Sequence, residues 1–262
     1  MKKVIFNGSL VNYDDISITD IKRGFMYGDG LFETMKWSQG EILFFNSHFS
    51  RLKFGMEIMK LEKGNLSMPL LNQSITLLAE KHQGHPLRFR MSVFRTGEGR
   101  YKTTSRSYSW LLEAEILKDQ LYMVNQTGLK VKFSEKTRLS WSSFSEFKTM
   151  NSLTYILAGI EAAERQVEDL IILDPNDEVV EMISSNVFGL LDNELITPKK
   201  SSGCVEGVFK VVLKKHLPKI GIEIKEKNIT TEELLACSSV YSSNVINGMQ
   251  WIEKNGDHTF KK

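Results

Sequence analysis

The stretch from Lys148 to Glu181 constrains this chain most. Lys148 stands in Phe147-Lys-Thr-Met-Asn-Ser-Leu153, a cation among apolar neighbours at the opening of a helix-like segment. Glu181 closes an apolar, strand-like run that starts at Leu170-Ile-Ile-Leu173 and passes through Val179-Val180. An amine and a carboxylate framed in this way are costly to desolvate unless they are paired or hold something between them. Two readings meet that cost. One is a buried Lys–Glu ion pair. The other is a pyridoxal phosphate ring, with the lysine forming an imine at one end and the carboxylate keeping the ring nitrogen protonated at the other.

A length of 262 residues fits one large domain or two of ordinary size. Hydrophobic residues at 41% and charged residues at 25% match a water-soluble globular chain. A formal charge of +2, with dispersed lysines, gives no reason to expect nucleic acid or an anionic membrane as partner. Cys204 and Cys237 are too few for a disulfide framework and lack metal-ligand spacing, so no metal is expected. The N-terminus turns polar after Val4-Ile-Phe6, and no apolar run is long enough to span a bilayer. These features point to a reduced, cytoplasmic compartment.

Segment types alternate along the chain. Residues 3–12 read as a hairpin turning at Asn7-Gly8, which supplies the positive φ angles of a tight turn. Helices are predicted over 47–60, where Phe49, Leu52, Met56 and Met59 share a face, and over 67–82. Strands follow at Leu87–Phe94 and Tyr108–Glu115, and patterning weakens over 116–127 before Gly128 begins a new strand. Beyond lie a helix at 150–166, strands near 169–173, 178–182, 186–191 and 194–197, helices at 206–216 and 231–236, and a strand at 239–243. The pattern predicts a mixed αβ protein with two lobes, residues 1–117 and 118–262.

Five motifs then fall in order: Arg23-Gly-Phe-Met-Tyr-Gly-Asp-Gly-Leu-Phe-Glu-Thr34, His48-Phe-Ser-Arg-Leu52, Lys148-Thr-Met-Asn-Ser-Leu153, Glu181 to Phe188, and Gly203-Cys-Val-Glu-Gly-Val-Phe-Lys210. Over residues 4–252 the chain resembles the fold-type IV pyridoxal phosphate enzymes, the class IV aminotransferase family. That family contains branched-chain and D-amino acid aminotransferases and 4-amino-4-deoxychorismate lyase. The resemblance implies a two-lobed fold: a small N-terminal αβ lobe, and a larger αβ pseudobarrel lobe carrying the Schiff-base lysine and most of the cofactor site. It implies pyridoxal 5'-phosphate as cofactor, Lys148 as that lysine and proton carrier, and Glu181 as partner of the pyridine nitrogen. It makes Arg51 the phosphate arginine, a role that suits a guanidinium fork. The backbone amides of Val208 and Phe209, at a helix N-terminus, and Asn244 with the Val245 amide, in a polar turn, are the further phosphate candidates. A homodimer is also implied, and family members usually continue into a closing helix, which the stretch from Gly256-Asp257 to Lys262 does not match.

Details of the motifs separate the subclasses. D-amino acid aminotransferases place a tyrosine where this chain has Phe32, and an arginine and a histidine in the loop that here reads Arg95-Thr-Gly-Glu-Gly-Arg-Tyr-Lys102, with no histidine. Branched-chain enzymes carry a sequence like Lys-Val-Gly-Gly-Asn-Tyr at the lysine, whereas this chain has Thr149-Met-Asn151 and no tyrosine five positions on. Gly28-Asp-Gly-Leu-Phe-Glu-Thr34, the Gly97-Glu-Gly-Arg-Tyr101 loop, Lys148-x-x-Asn151-x-Leu153 and Ser243-Asn244-x-x-x-Gly248 are similar to the lyases, which release pyruvate to leave 4-aminobenzoate for folate biosynthesis. In that reading Arg95 and Arg100 bind the carboxylates of a small amino substrate and Thr34 donates near the leaving group. Three functions therefore stay open: the lyase, an aminotransferase for D-, branched-chain or other small amino acids, and a non-catalytic protein binding pyridoxal phosphate or another phospholigand.

Overall fold

A computed structural model describes residues 2–262. The chain divides into two compact units, the first made of residues up to Leu121 together with Phe147–Asn151, the second of Tyr122–Glu146 and Ser152–Lys262.

In the first unit, β1 (Lys3–Phe6) and β2 (Ser9–Asn12) form the expected hairpin. Then come α1 (Ile18–Tyr27), β3 (Gly30–Ser38), β4 (Glu41–Ile42), α2 (Phe45–Ile58), α3 (Met68–Glu80), β5 (Leu87–Arg95) and β6 (Tyr108–Ile116). Helix α1, which the sequence pattern does not announce, starts from a capping box formed by Ser17 and Asp20 and stops at Gly28, whose φ of 61° is left-handed. The sheet order is β2-β1-β6-β5-β3-β4. Period-2 alternation sorts its side chains. Leu31 and Met35 of β3 face Val93 and Phe89 of β5, and Trp110 and Leu112 of β6 continue that face. Leu52 and Met56 of α2 and Leu71, Ile75 and Leu78 of α3 join the same core. Phe32, Thr34 and Lys36 project to the other face, opposite Ser92, Arg90 and Arg88.

Phe147 is buried in this first core. Its ring occupies the space where a side chain at Gly55 would begin. The backbone beyond it pairs with β3, Phe32 N–H donating to the Lys148 carbonyl and Met150 N–H to that of Gly30, both at 2.9 Å. Lys148, expected on the C-terminal lobe, thus belongs with the first unit, and the lobe boundary lies at 121/122 rather than 117/118. The same pairing holds Thr149 and Met150 extended, so the helix predicted from 150 begins only at Leu153.

The second unit contains β7 (Leu129–Arg138), α4 (Leu153–Glu164), β8 (Asp169–Leu173), β9 (Val179–Met182), β10 (Asn186–Leu191), β11 (Glu194–Pro198), α5 (Val208–His216), β12 (Ile224–Lys227), α6 (Thr231–Ala236), β13 (Ser239–Asn244), β14 (Gly248–Asn255) and β15 (His258–Thr259). Eight strands run in the order β12-β11-β10-β13-β14-β7-β8-β9, and β15 pairs with β14. The sheet curls on itself: Val179 of β9 donates to the Ile229 carbonyl just beyond β12, and Glu178 bridges Thr230. This is the pseudobarrel the resemblance implied. Val131, Ile171, Val187, Val240 and Ile252 fill it, while Ala158 and Ala162 seat α4 on Leu170 and Ile172. β12 and β14 are absent from the sequence reading because lysines and polar residues interrupt their alternation.

Asp169, at the start of β8, accepts the amides of Leu170 and Ile183 on Oδ1. Burial pushes its carboxyl up to about 6. Because the folded pKa exceeds the unfolded one, folding is favoured at low pH and that advantage is lost as pH rises through 6. Asp169→Asn keeps the acceptor and removes the charge. It is expected to raise stability by about 1–2 kcal/mol near neutral pH, the partial exposure of the group limiting the gain. Thermal melts at several pH values should show that gain vanish below about pH 4.

Candidate active site

Lys148 extends along the polar face of the first unit's sheet, its Nζ 5.5 Å from the centre of the Phe32 ring. The Arg90 guanidinium lies over the same ring at 3.8 Å. Arg90 sits directly opposite Thr34 across β3 and β5. It makes no side-chain hydrogen bond among the described residues, and burial, with Arg88 nearby, lowers its proton affinity. A guanidinium in that position is suited to receive an anion.

On the apolar face of the same sheet, Glu33 is 2% exposed and would be ruinous alone. Arg51 of α2 meets it side-on, Nε donating to Oε1 and Nη2 to Oε2, each at 2.7 Å. His48, one turn earlier, donates from Nδ1 to Oε2 at 2.7 Å. That tautomer is required, since an ionised carboxylate only accepts. Burial by itself would raise the Glu33 pKa, but Arg51 and His48 outweigh it and hold the carboxyl down at about 2. Arg51 is therefore held rigidly by Glu33 as well as being the phosphate candidate.

Arg95 does something other than expected. Its Nε donates to both oxygens of Asp29, Nη1 to the Ser105 carbonyl at 2.7 Å, and Nη2 to the Met59 carbonyl at 2.6 Å. Arg23 joins from the other side, donating to Asp29 and to the carbonyls of Gly99 and Arg100. The two arginines tether the glycine loop, so Arg95 is engaged in structure rather than offered to a substrate. The Arg100 side chain is exposed on that loop.

In the second unit Glu181 is 4% exposed on β9. The Tyr155 hydroxyl of α4 donates to its Oε1 at 2.7 Å and the Val205 amide to its Oε2 at 3.1 Å. Helix α5 opens at Gly207, which places the backbone amides of Val208 and Phe209 in its first turn. Glycine is required there: a Cβ at 207 would collide with Oδ1 of Asn186, whose amide is bonded to the Val205 carbonyl. The Asn244 side chain closes the β13–β14 turn, its Oδ1 accepting the amides of Ile246 and Asn247 and its Nδ2 donating to Ser185 Oγ. The turn thus consumes the side chain. The Val245 carbonyl accepts the Tyr122 hydroxyl, and the Tyr122 ring meets that of Phe209 edge-on at 5.2 Å. Ser243 Oγ is buried without a hydrogen-bond partner among the described residues, a donor suited to an incoming anion.

Sequence reasoning passed over Arg90 and Tyr155, and named Ser243 only as part of a motif. Arg90 carried a faint signal, as a polar position in the alternating Leu87–Phe94 strand. Tyr155 carried none, because its partner lies on another element.

The donor sets suit pyridoxal phosphate. The first unit, taken by itself, offers an amine beside an aromatic ring and a fixed arginine; the second, taken by itself, offers a buried carboxylate, a helix N-terminus and a buried hydroxyl. The family comparison agrees. The amino-transferase class IV family model matches residues 30–254, and the chain belongs to that family, whose members are pyridoxal-phosphate-dependent enzymes. Among curated relatives, D-alanine aminotransferase of Staphylococcus epidermidis is 24% identical, over 93% of this chain and 85% of its own length. The branched-chain-amino-acid aminotransferase of Escherichia coli is 23% identical, over 91% and 80% respectively. Among solved structures, a branched-chain aminotransferase from Thermoproteus uzoniensis superposes with a TM-score of 0.89 at 21% identity, over 100% of this chain and 89% of that one. A 4-amino-4-deoxychorismate lyase from Pseudomonas aeruginosa gives 0.83 at 23%, over 98% and 93%. No helix among the described residues is long and apolar enough to cross a membrane.

Proposed function

We propose that this enzyme is a lyase that eliminates pyruvate from 4-amino-4-deoxychorismate to give 4-aminobenzoate. The observation that carries the reading is the polar face of the first sheet, where Arg90 faces Thr34 beside Phe32 and Lys148. The substrate bears two carboxylates, and Arg90 provides the guanidinium that Arg95 does not. In this reading Lys148 attaches the cofactor, Glu181 accepts from its ring nitrogen, and Arg51, the amides of Val208, Phe209 and Val245, and Ser243 hold its phosphate. Bound there, pyridoxal phosphate supplies an electron-withdrawing ring that stabilises negative charge on the substrate carbon next to the amine. The Lys148 amine removes the proton from that carbon. The Thr34 hydroxyl donates toward the departing group, Arg90 holds a carboxylate in place, and loss of pyruvate is driven by aromatisation.

The test is release of the aromatic amine from 4-amino-4-deoxychorismate with no 2-oxo acid present. Turnover that depends on an added 2-oxo acid would establish the second reading, an aminotransferase, which the curated relatives favour. Arg90→Met is expected to raise KM for the dicarboxylate about 30- to 100-fold, the effect of losing a charged hydrogen bond. Steady-state kinetics with wild type alongside measure it, and an unchanged KM would remove Arg90 from the site.

A homodimer belongs to the same proposal. Helix α4 exposes Leu153, Ile156, Leu157 and Ile160 on one stripe, an apolar face of the kind that two copies bury against each other. Light scattering is expected to give twice the chain mass for wild type and a lower value for Ile156→Lys.

A further inference from the structure

We propose that Tyr155 is a positioning residue for Glu181, setting how strongly that carboxylate competes for the proton on a bound pyridine nitrogen. The inference rests on the assignment of Glu181 to the ring nitrogen made above. Three observations carry it. The Tyr155 hydroxyl reaches Oε1 at 2.7 Å while the Val205 amide takes Oε2, so the carboxylate plane is fixed from both ends. The Tyr155 ring is itself held, packed against the cluster of Ala158, Ala162, Leu170 and Ile172 that joins α4 to β8. Burial and the Glu181 charge also raise the Tyr155 pKa, so the hydroxyl remains a donor throughout the working pH range.

A donor aimed at a carboxylate stabilises its charged form and makes it a weaker base. In a nitrogen–carboxylate pair sharing one proton, the hydroxyl therefore keeps the proton on nitrogen. Without it, Glu181 gains basicity and the proton shifts toward the carboxylate. A tyrosine that merely filled space would leave that balance alone.

Ring-labelled ¹⁵N pyridoxal phosphate bound to the full chain tests this, because the nitrogen chemical shift separates the protonated from the neutral ring. Wild type is expected to stay protonated well above neutral pH. Tyr155→Phe should move the neutral-pH nitrogen shift toward that of the neutral ring, by about a tenfold change in the ratio of protonated to neutral nitrogen, while Glu181→Gln leaves it neutral throughout. A Tyr155→Phe nitrogen shift equal to that of wild type, with Glu181→Gln changed, overturns the role of Tyr155 alone. A Glu181→Gln signal identical to wild type overturns the placement of Glu181 instead. Should Tyr155→Phe not hold the cofactor, fluorotyrosine at 155, a stronger donor, is expected to move the nitrogen shift further toward that of the protonated ring. No movement there also overturns the proposal.

Discussion

Replacing Lys148 by alanine is expected to lower turnover by about a thousandfold or more, to remove the visible absorption that bound cofactor gives, and to leave the protein folded. The rate estimate follows from losing both the covalent attachment and the group that moves the proton, since a positioned acid or base alone contributes about 10²–10⁴-fold. The unchanged fold follows from how the segment is built. Lys148 is held through its backbone, by the Phe32 amide and by the pairing of Thr149 with Leu31, and through burial of its neighbour Phe147. Its side chain places Nζ 5.5 Å from the centre of the Phe32 ring, a contact whose loss costs at most about 1 kcal/mol. Thermal melting should therefore move by no more than the equivalent of about 1 kcal/mol. This separates the two readings of the lysine that the sequence left open. A buried ion pair predicts the reverse, about 3–5 kcal/mol of destabilisation and no loss of colour. Partial recovery of activity with a small primary amine would assign the loss to the missing amine, and turnover within tenfold of wild type would end the assignment.

The periodic parts of the fold were legible because burial imposes periodicity. The Asn7-Gly8 hairpin, α2, α3, β5, β6 and the run from β8 to β11 all carry apolar residues at intervals of two or of three to four, and each is present within a few residues of its expected bounds. Helix α1 escaped because Arg23 and the exposed Phe25 and Met26 upset its pattern, its existence depending on the Ser17 cap and the stop at Gly28. At the site, the motifs pointed to Lys148 and Glu181 through the cost of their neighbours. They could not reveal which side chains those groups touch. Arg95 illustrates the limit, since a strand-end arginine bound to Asp29 and one bound to substrate look the same until the carbonyls of Met59 and Ser105 are located. The place of Lys148 in the first unit was hidden for a related reason: a five-residue segment can pair with a distant strand without any local change in composition.

Glu33→Gln is expected to destabilise the protein by about 3–5 kcal/mol and to weaken its hold on the cofactor, although Glu33 is assigned no chemical step. On the core face of β3 its carboxylate neutralises Arg51 and accepts from His48, all three within a region that water barely reaches. A glutamine keeps the volume but carries one amide group, which would point its hydrogens at donors on Arg51 or His48. The guanidinium would then be a buried charge without its counter-ion, the costly half of a broken pair. The pH dependence has a definite sign. With the Glu33 pKa held down at about 2 against an ordinary 4.5, the stabilisation is complete above 4.5 and is lost as pH falls through 2. That shift corresponds to about 3 kcal/mol, in line with the cost of breaking the pair. Denaturant titrations should accordingly show wild type and Glu33→Gln far apart at neutral pH and converging between pH 4.5 and 2. Because the carboxylate fixes Arg51 along its Nε and Nη2 edge, the variant should also release pyridoxal phosphate more readily, read by dialysis against phosphate. Equal stability at neutral pH would mean that Arg51 finds another anion, and the rigid presentation of the guanidinium to a phosphate would then have no basis in this trio.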